Sequence, residues 1–176
     1  MTNLSRKFYV FGLDQSGKSV FVNYLTTGEL KAILPPTLAF SITDLQFKKL
    51  KIVIWDAPGQ KIFRNLWLRH VNRSDLIFYI VDASDRNRFA EAKEELDKIV
   101  MQYRGEYAAP LILCFHKSDL PAAIENLKEA QELFKWDYVD NRDIHKFETS
   151  VFQPETMKAV YNLLEKLYGS KEKFAL

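Results

Sequence analysis

Gly12-Leu13-Asp14-Gln15-Ser16-Gly17-Lys18-Ser19 is the stretch from which the rest of this chain can be read. It fits G-x4-G-K-[ST], follows the apolar run Lys7 to Gly12, and opens a helical pattern of Phe21, Tyr24 and Leu25. A strand, a glycine turn and a helix in that order form a phosphate cradle. Glycines let the backbone aim its N–H groups at anionic oxygens, and the helix N-terminus adds a favourable dipole. Lys18 supplies positive charge to the outer phosphates. Ser19 offers a hydroxyl to magnesium, a hard cation that prefers oxygen ligands. Residues Gly12 to Ser19 and the adjoining Val20 are therefore the expected phosphate-binding set.

Outward from the loop, short β-rich runs alternate with helical patterns: Lys7 to Gly12, Leu50 to Trp55, Leu76 to Val81, Leu111 to Phe115 and His145 to Thr149. That order implies βαβ units. The expected fold is α/β and three-layered, a six-stranded, mostly parallel sheet with one antiparallel edge strand and five helices. Met157, Val160, Tyr161, Leu164, Leu167 and Tyr168 share one helix face, as do Phe89, Ala92, Leu96, Ile99 and Tyr103; Ile124, Leu127, Ala130 and Phe134 repeat the spacing. Phe40 to Phe47 and the strand from Leu50 read as an antiparallel hairpin, because Lys48-Lys49 is too short for a parallel crossover. The alternation slips between Asp44 and Leu45, which predicts a bulge or an edge strand able to change register.

The 176 residues fit a single domain, 1–176, and neither Trp136 to Ile144 nor any other stretch reads as a linker. With 47% apolar and 27% charged residues the composition is that of an ordinary globular protein. Twenty-five basic residues against 23 acidic ones leave no electrostatic case for nucleic-acid binding. The single cysteine, Cys114, lies in an apolar run and reads as a buried thiol in a reducing, cytoplasmic setting. No apolar run approaches the roughly 20 residues of a membrane span. Thr2 and the end Phe174-Ala175-Leu176 carry no lipidation signal, so no direct membrane anchor is expected.

Asp56 ends the apolar run Ile52-Val53-Ile54-Trp55 at the strand edge where α/β sheets bind ligands, a position suited to a second magnesium ligand. Asp56-Ala57-Pro58-Gly59-Gln60 resembles the D-x-x-G-Q element of Ras-like GTPases, and Pro35-Pro36-Thr37-Leu38-Ala39-Phe40 resembles the P-T-x-G-F switch I of the Arf and Arf-like branch. Phe63-Arg64-Asn65-Leu66-Trp67, Val81-Asp82-Ala83-Ser84-Asp85-Arg86 and Glu91 to Leu96 are similar to the same branch, so the likeness runs from Lys7 to Tyr168. It implies a P-loop NTPase G domain that binds GTP or GDP with Mg2+. In that family's scheme Ser19, Thr37 and Asp56 hold the metal, Gly59 senses the γ-phosphate, and Gln60 with Lys18 serves catalysis.

His116-Lys117-Ser118-Asp119 is similar to N-K-x-D, and Glu148-Thr149-Ser150-Val151 to E-T-S-A. The resemblance implies that Asp119 reads guanine, since a carboxylate accepts two parallel N–H bonds from that base and adenine offers no matching pair. Lys117 would lie along base and sugar, the Val151 N–H would meet guanine's carbonyl, and Leu120 and Ser150 would complete the base site. His116 stands where asparagine is usual, and Rag/Gtr-type GTPases carry H-K-x-D there. Ala39 and Pro58 also depart from the Arf pattern. The membrane helix of Arf proteins has no counterpart in the six residues before Lys7. Phe40, Trp55 and Trp67 correspond to aromatics that the branch presents to effectors; exchange factors and GTPase-activating proteins are the other expected partners. The resemblance thus implies a guanine-nucleotide switch that hydrolyses GTP slowly, and two further readings stand beside it: a nucleotide-binding module that does not cycle, and a P-loop nucleoside or nucleotide kinase.

Overall fold

Leu76-Ile77-Phe78-Tyr79-Ile80-Val81 and Leu111-Ile112-Leu113-Cys114-Phe115 are unbroken apolar runs, the signature of parallel strands covered on both faces, and all eleven residues are buried. The computed structural model describes residues 5–31, 34–35, 37, 39–48, 50–71, 73–102, 109–135 and 142–169. Tyr103, Lys49, Pro36, Leu38, residues 136–141 and both chain ends lie outside the described residues.

Six strands, β1 Ser5–Phe11, β2 Ser41–Phe47, β3 Leu50–Asp56, β4 Leu76–Asp82, β5 Leu111–His116 and β6 Ile144–Thr149, form one sheet in the order β2-β3-β1-β4-β5-β6. Only β2 runs antiparallel to its neighbour. The five α-helices among the described residues are α1 Lys18–Thr27, α2 Trp67–Val71, α3 Phe89–Gln102, α4 Pro121–Leu133 and α5 Pro154–Tyr168, with 3-10 turns at Lys61–Leu66 and Arg86–Arg88. Strand side chains alternate between two cores. Phe8, Val10, Ile54, Phe78 and Ile80 meet Phe21 and Leu25 of α1 and Met157, Val160 and Leu164 of α5. Tyr9, Phe11, Tyr79, Val81 and Phe115 meet Trp67 of α2, Ala92, Leu96 and Ile99 of α3, and Leu127 and Ala130 of α4. The result is three layers, with the phosphate loop leaving the central strand β1 at its C-terminal end. No helix of the described residues is long and apolar enough to cross a membrane.

Two expectations need correction. The edge hairpin has no bulge: pairing runs one to one from Ser41↔Asp56 to Phe47↔Leu50. Leu45 and Phe47 pack toward α1 and α5, while the apparent slip is Ile42, an apolar residue on the outer face that is 55% exposed. Lys48 takes a left-handed conformation, φ 54°, so the chain reverses without an extra residue, and its ammonium pairs with Glu165 of α5. In α4 the core positions belong to Ala123, Leu127 and Ala130, and Ile124 is 69% exposed because, one residue on from Ala123, it points off that face. Register makes an outcome measurable by denaturant unfolding. Leu45→Ala should cost about 1–2 kcal/mol, whereas Asp44→Ala, whose Lys51 partner is exposed, should change stability by under about 0.5 kcal/mol.

Candidate functional site

Gly17 precedes α1 with φ 90°, a conformation that favours glycine, and a Cβ there would lie 2.6 Å from Cδ2 of His116. The loop therefore turns against the end of β5. Asp14, Gln15, Gly17, Lys18, Ser19, Val20, Leu34, Pro35, Thr37, Gly59, Gln60 and Lys117 line an open cavity of about 550 Å³. Gly12, Leu13, Ser16 and Asp56 lie behind this wall. Leu13 and Ser16 face a separate space of about 40 Å³ toward Arg88 and Phe89.

Lys18 is buried, and its Nζ donates to the Leu13 carbonyl at 2.5 Å. Burial pulls its pKa down to about 8, against the opposing charges of Asp56 and Asp14. On the other side of the cavity the Ser19 hydroxyl donates to Asp56 Oδ2 at 2.7 Å and lies 2.7 Å from Thr37 Oγ1, which is 3.4 Å from the same carboxylate oxygen. Asp56 Oδ1 is buried without a hydrogen-bond partner. Burial raises the Asp56 pKa, while the Ser19 hydroxyl and the Lys18 charge oppose the rise. Two hydroxyls and one carboxylate with an unused oxygen suit Mg2+, which takes oxygen ligands and keeps several waters. The expected metal set is thus one cluster.

Gly59 approaches the loop so closely that a Cβ would stand 2.4 Å from the Asp14 nitrogen and 2.6 Å from Lys18 Nζ. Its carbonyl accepts the Asp14 N–H (3.2 Å) and Arg64 Nε (2.9 Å). Gln60 lines the cavity with its Oε1 buried and unpartnered. Pro58 keeps its carbonyl in use, accepting Trp67 Nε1 at 3.0 Å. Trp67 is 1% exposed, so the expectation that it faces partners is corrected: its ring fills the core beside Phe11. Phe40 and Trp55 are only half-buried and gather around His70, at 4.7 and 5.4 Å between ring centroids.

A charged brace was not foreseen. Arg64, 6% exposed, reaches Glu91 (2.8 Å) and Asp14 (3.4 Å), and Arg88 reaches the Asp14 carbonyl (3.0 Å), its carboxylate (2.9 Å) and Glu91 (2.8 Å). Burial disfavours the Asp14 carboxylate, but the hydrogen bond and charge of Arg88, with Arg64 behind them, hold its pKa below the usual range. Spacing could not expose this brace, because Asp14, Arg64 and the Arg88–Glu91 pair come from three separate segments.

A second cavity, about 120 Å³, shares Gly17, Val20 and Lys117 with the first and is completed by His116, Asp119, Leu120, Ser150, Val151 and Phe152. Lys117, at φ 61°, sends its Nζ back to the Gln15 carbonyl (2.8 Å) and Asp82 (2.5 Å), leaving its stem as a wall. Among the described residues the Asp119 carboxylate accepts no hydrogen bond and the Val151 N–H donates none. His116 is 2% exposed, its Nδ1 lies 3.1 Å from Thr149 Oγ1, and its ring meets Phe21 edge-on at 5.7 Å. Burial, with the neighbouring Lys117 charge, pulls its pKa down to about 4.

The unfolded chain protonates His116 near pH 6.5 while the folded one resists to about 4, so folding stability contributed by the neutral ring is complete above pH 6.5 and lost as pH falls through that window. The loss should reach up to about 3 kcal/mol. His116→Asn, which keeps a partner for Thr149 and cannot ionise, should flatten this part of the stability profile measured by denaturant unfolding between pH 7 and 4.

The model of the ADP-ribosylation factor family matches residues 1–168. ADP-ribosylation factor F of Dictyostelium discoideum is 32% identical over 138 residues, 74% of this chain and 72% of that protein. ADP-ribosylation factor 1 of Brassica rapa subsp. pekinensis is 33% identical over 135 residues, 76% of this chain and 73% of that protein. In fold the chain is similar to the Arl6 BBS3 small GTPase from Trypanosoma brucei with bound nucleotide analogue GppNp, with TM-score 0.77 and 19% identity over 93% of this chain and 96% of that one. A phosphate loop on the central strand, an oxygen cluster beside it and a base-sized cavity beyond it sit on that fold, and the chain belongs to the ADP-ribosylation factor family of small GTPases.

Proposed function

We propose that this chain is a guanine-nucleotide switch that binds GTP or GDP with Mg2+, hydrolyses GTP slowly and changes protein partners with the state of the nucleotide. The observation that carries the reading is the 120 Å³ cavity, where, among the described residues, the Asp119 carboxylate and the Val151 N–H have no hydrogen-bond partner and which shares Gly17, Val20 and Lys117 with the larger cavity. Asp119 can take the paired N–H groups of guanine, and Val151 can give its N–H to the carbonyl on the same base. Gln15, Gly17, Lys18 and Ser19 hold the polyphosphate, whose charge favours the ammonium form of Lys18 despite its burial.

Ser19, Thr37 and Asp56 would hold Mg2+. The ion, when bound, neutralises charge on the phosphates. Gln60, with its unpartnered oxygen, orients water for attack on the outer phosphate. Arg64 is occupied by Gly59, Glu91 and Asp14, and no arginine lines the 550 Å³ cavity among the described residues. Slow turnover follows, with a partner supplying the missing positive charge. Phe40 and Trp55, half-buried beside Thr37 and Asp56, are the side chains whose exposure would follow switch movement; exchange factors, effectors and GTPase-activating proteins would meet the chain there.

Nucleotide-stripped protein with Mg2+ should bind GDP and a non-hydrolysable GTP analogue at least about a hundredfold more tightly than the matching ATP analogue, a gap of about 2.7 kcal/mol. Equal or preferred ATP binding would overturn the reading. Gln60→Leu should retain GTP binding and lower single-turnover hydrolysis at least about tenfold; hydrolysis absent from the unaltered chain would instead favour a module that holds nucleotide without cycling.

A further inference from the structure

A carboxylate stands in the wall of the cavity read above as the seat of a polyanion. Asp14 belongs to the phosphate loop and lines the 550 Å³ cavity, and its side chain is 33% exposed. It sits at the outer end of that cavity, since a Cβ on Gly59 would lie 2.4 Å from the Asp14 nitrogen and 2.6 Å from Lys18 Nζ, the ammonium assigned to the outer phosphates. Burial disfavours the charge of Asp14, but the hydrogen bond and charge of Arg88, with Arg64 behind them, keep the group ionised. Left unpaired, such an anion would repel any phosphate beside it, and the repulsion would weigh most on the outermost one.

Arg88 answers that charge directly. Its Nη2 donates to Asp14 Oδ1 at 2.9 Å and its Nη1 to the Asp14 carbonyl at 3.0 Å, so one planar guanidinium grips the side chain and the backbone of the same residue. Its Nε donates to Glu91 Oε2 at 2.8 Å, which fixes the fork from behind. Arg64 reaches the same Asp14 oxygen only at 3.4 Å, and its other bonds go to Gly59 and Glu91. Asp14 borders both the 550 Å³ cavity and the 40 Å³ space behind the loop, whereas Arg88 borders only the smaller one. Its pull on the carboxylate is therefore away from the phosphate side.

We infer that Arg88 lets this loop carry an aspartate and still take a triphosphate: it neutralises Asp14, draws the carboxylate away from the outermost phosphate, and thereby sets the preference between GTP and GDP. The inference rests on the guanine-nucleotide reading above and adds a residue outside the phosphate, metal and base sets. Arg88 is a positioning residue, because it acts on the nucleotide only through Asp14.

The test measures binding of GDP and a non-hydrolysable GTP analogue to the nucleotide-stripped whole chain with Mg2+. Arg88→Ala should weaken the GTP analogue at least about tenfold while GDP changes by less than about threefold; a smaller gap between the two losses overturns the inference. Arg88→Gln, which keeps hydrogen-bond donors without the charge, should show the same gap, and it carries the test if Arg88→Ala does not fold. Asp14→Asn should bind the GTP analogue at least as tightly as the parent. Arg88→Gln added to Asp14→Asn should then change that affinity by less than about threefold, because no anion is left to neutralise. A merely structural role for Arg88 would not give this rescue. A tenfold loss that persists in the Asp14→Asn background, or weaker binding of the GTP analogue by Asp14→Asn itself, overturns the inference and leaves the guanine reading intact. Failure of the parent chain to bind either nucleotide removes both.

Discussion

Gly17 has no side chain, and the His116 ring occupies the space that one would fill, with Cδ2 only 2.6 Å from where the Cβ would be. This contact brings the phosphate loop against the end of β5. The same ring bonds Thr149 of β6 and meets Phe21 of α1, so a loop, two strands and a helix converge on one neutral imidazole. Lys117, next in the chain, returns across the gap to the Gln15 carbonyl and to Asp82 at the end of β4. The phosphate cavity and the base cavity are thereby held at a fixed separation.

Charge is arranged around that frame with few free partners. Lys18 is buried between the Leu13 carbonyl and the fields of Asp56 and Asp14, and Asp14 is itself held between Arg88 and Arg64. Burying such groups costs desolvation, and the return is geometric: each charge is satisfied in only one arrangement of the loop, Gly59 and α3. Gly59 is the pivot, because its carbonyl accepts from both Asp14 and Arg64. A ligand group entering between Gly59 and the loop must compete with the Asp14 bond.

The alternation of strands and helices, the continuous apolar runs of β4 and β5, and the phosphate loop at the end of β1 were all legible in the chain, since period and composition are local properties. The cluster of Ser19, Thr37 and Asp56 was legible only because a family resemblance tied residues from three segments together. What misled were side chains whose orientation depends on neighbours. Ile42 and Ile124 are apolar yet exposed, Ala123 takes the core position beside Ile124, and Trp67 is an interior residue with its indole N–H spent on Pro58.

By itself the sequence determined the fold class and the glycine loop between β1 and α1, because backbone geometry and hydrophobic spacing act over a few residues. Tertiary structure alone decided that β2 pairs without a bulge, that Arg64 and Arg88 grip Asp14, and that His116 is a buried neutral clamp. The physical reason is that burial and charge pairing are set by distance in space, and Arg88 and Asp14, for example, lie 74 residues apart along the chain.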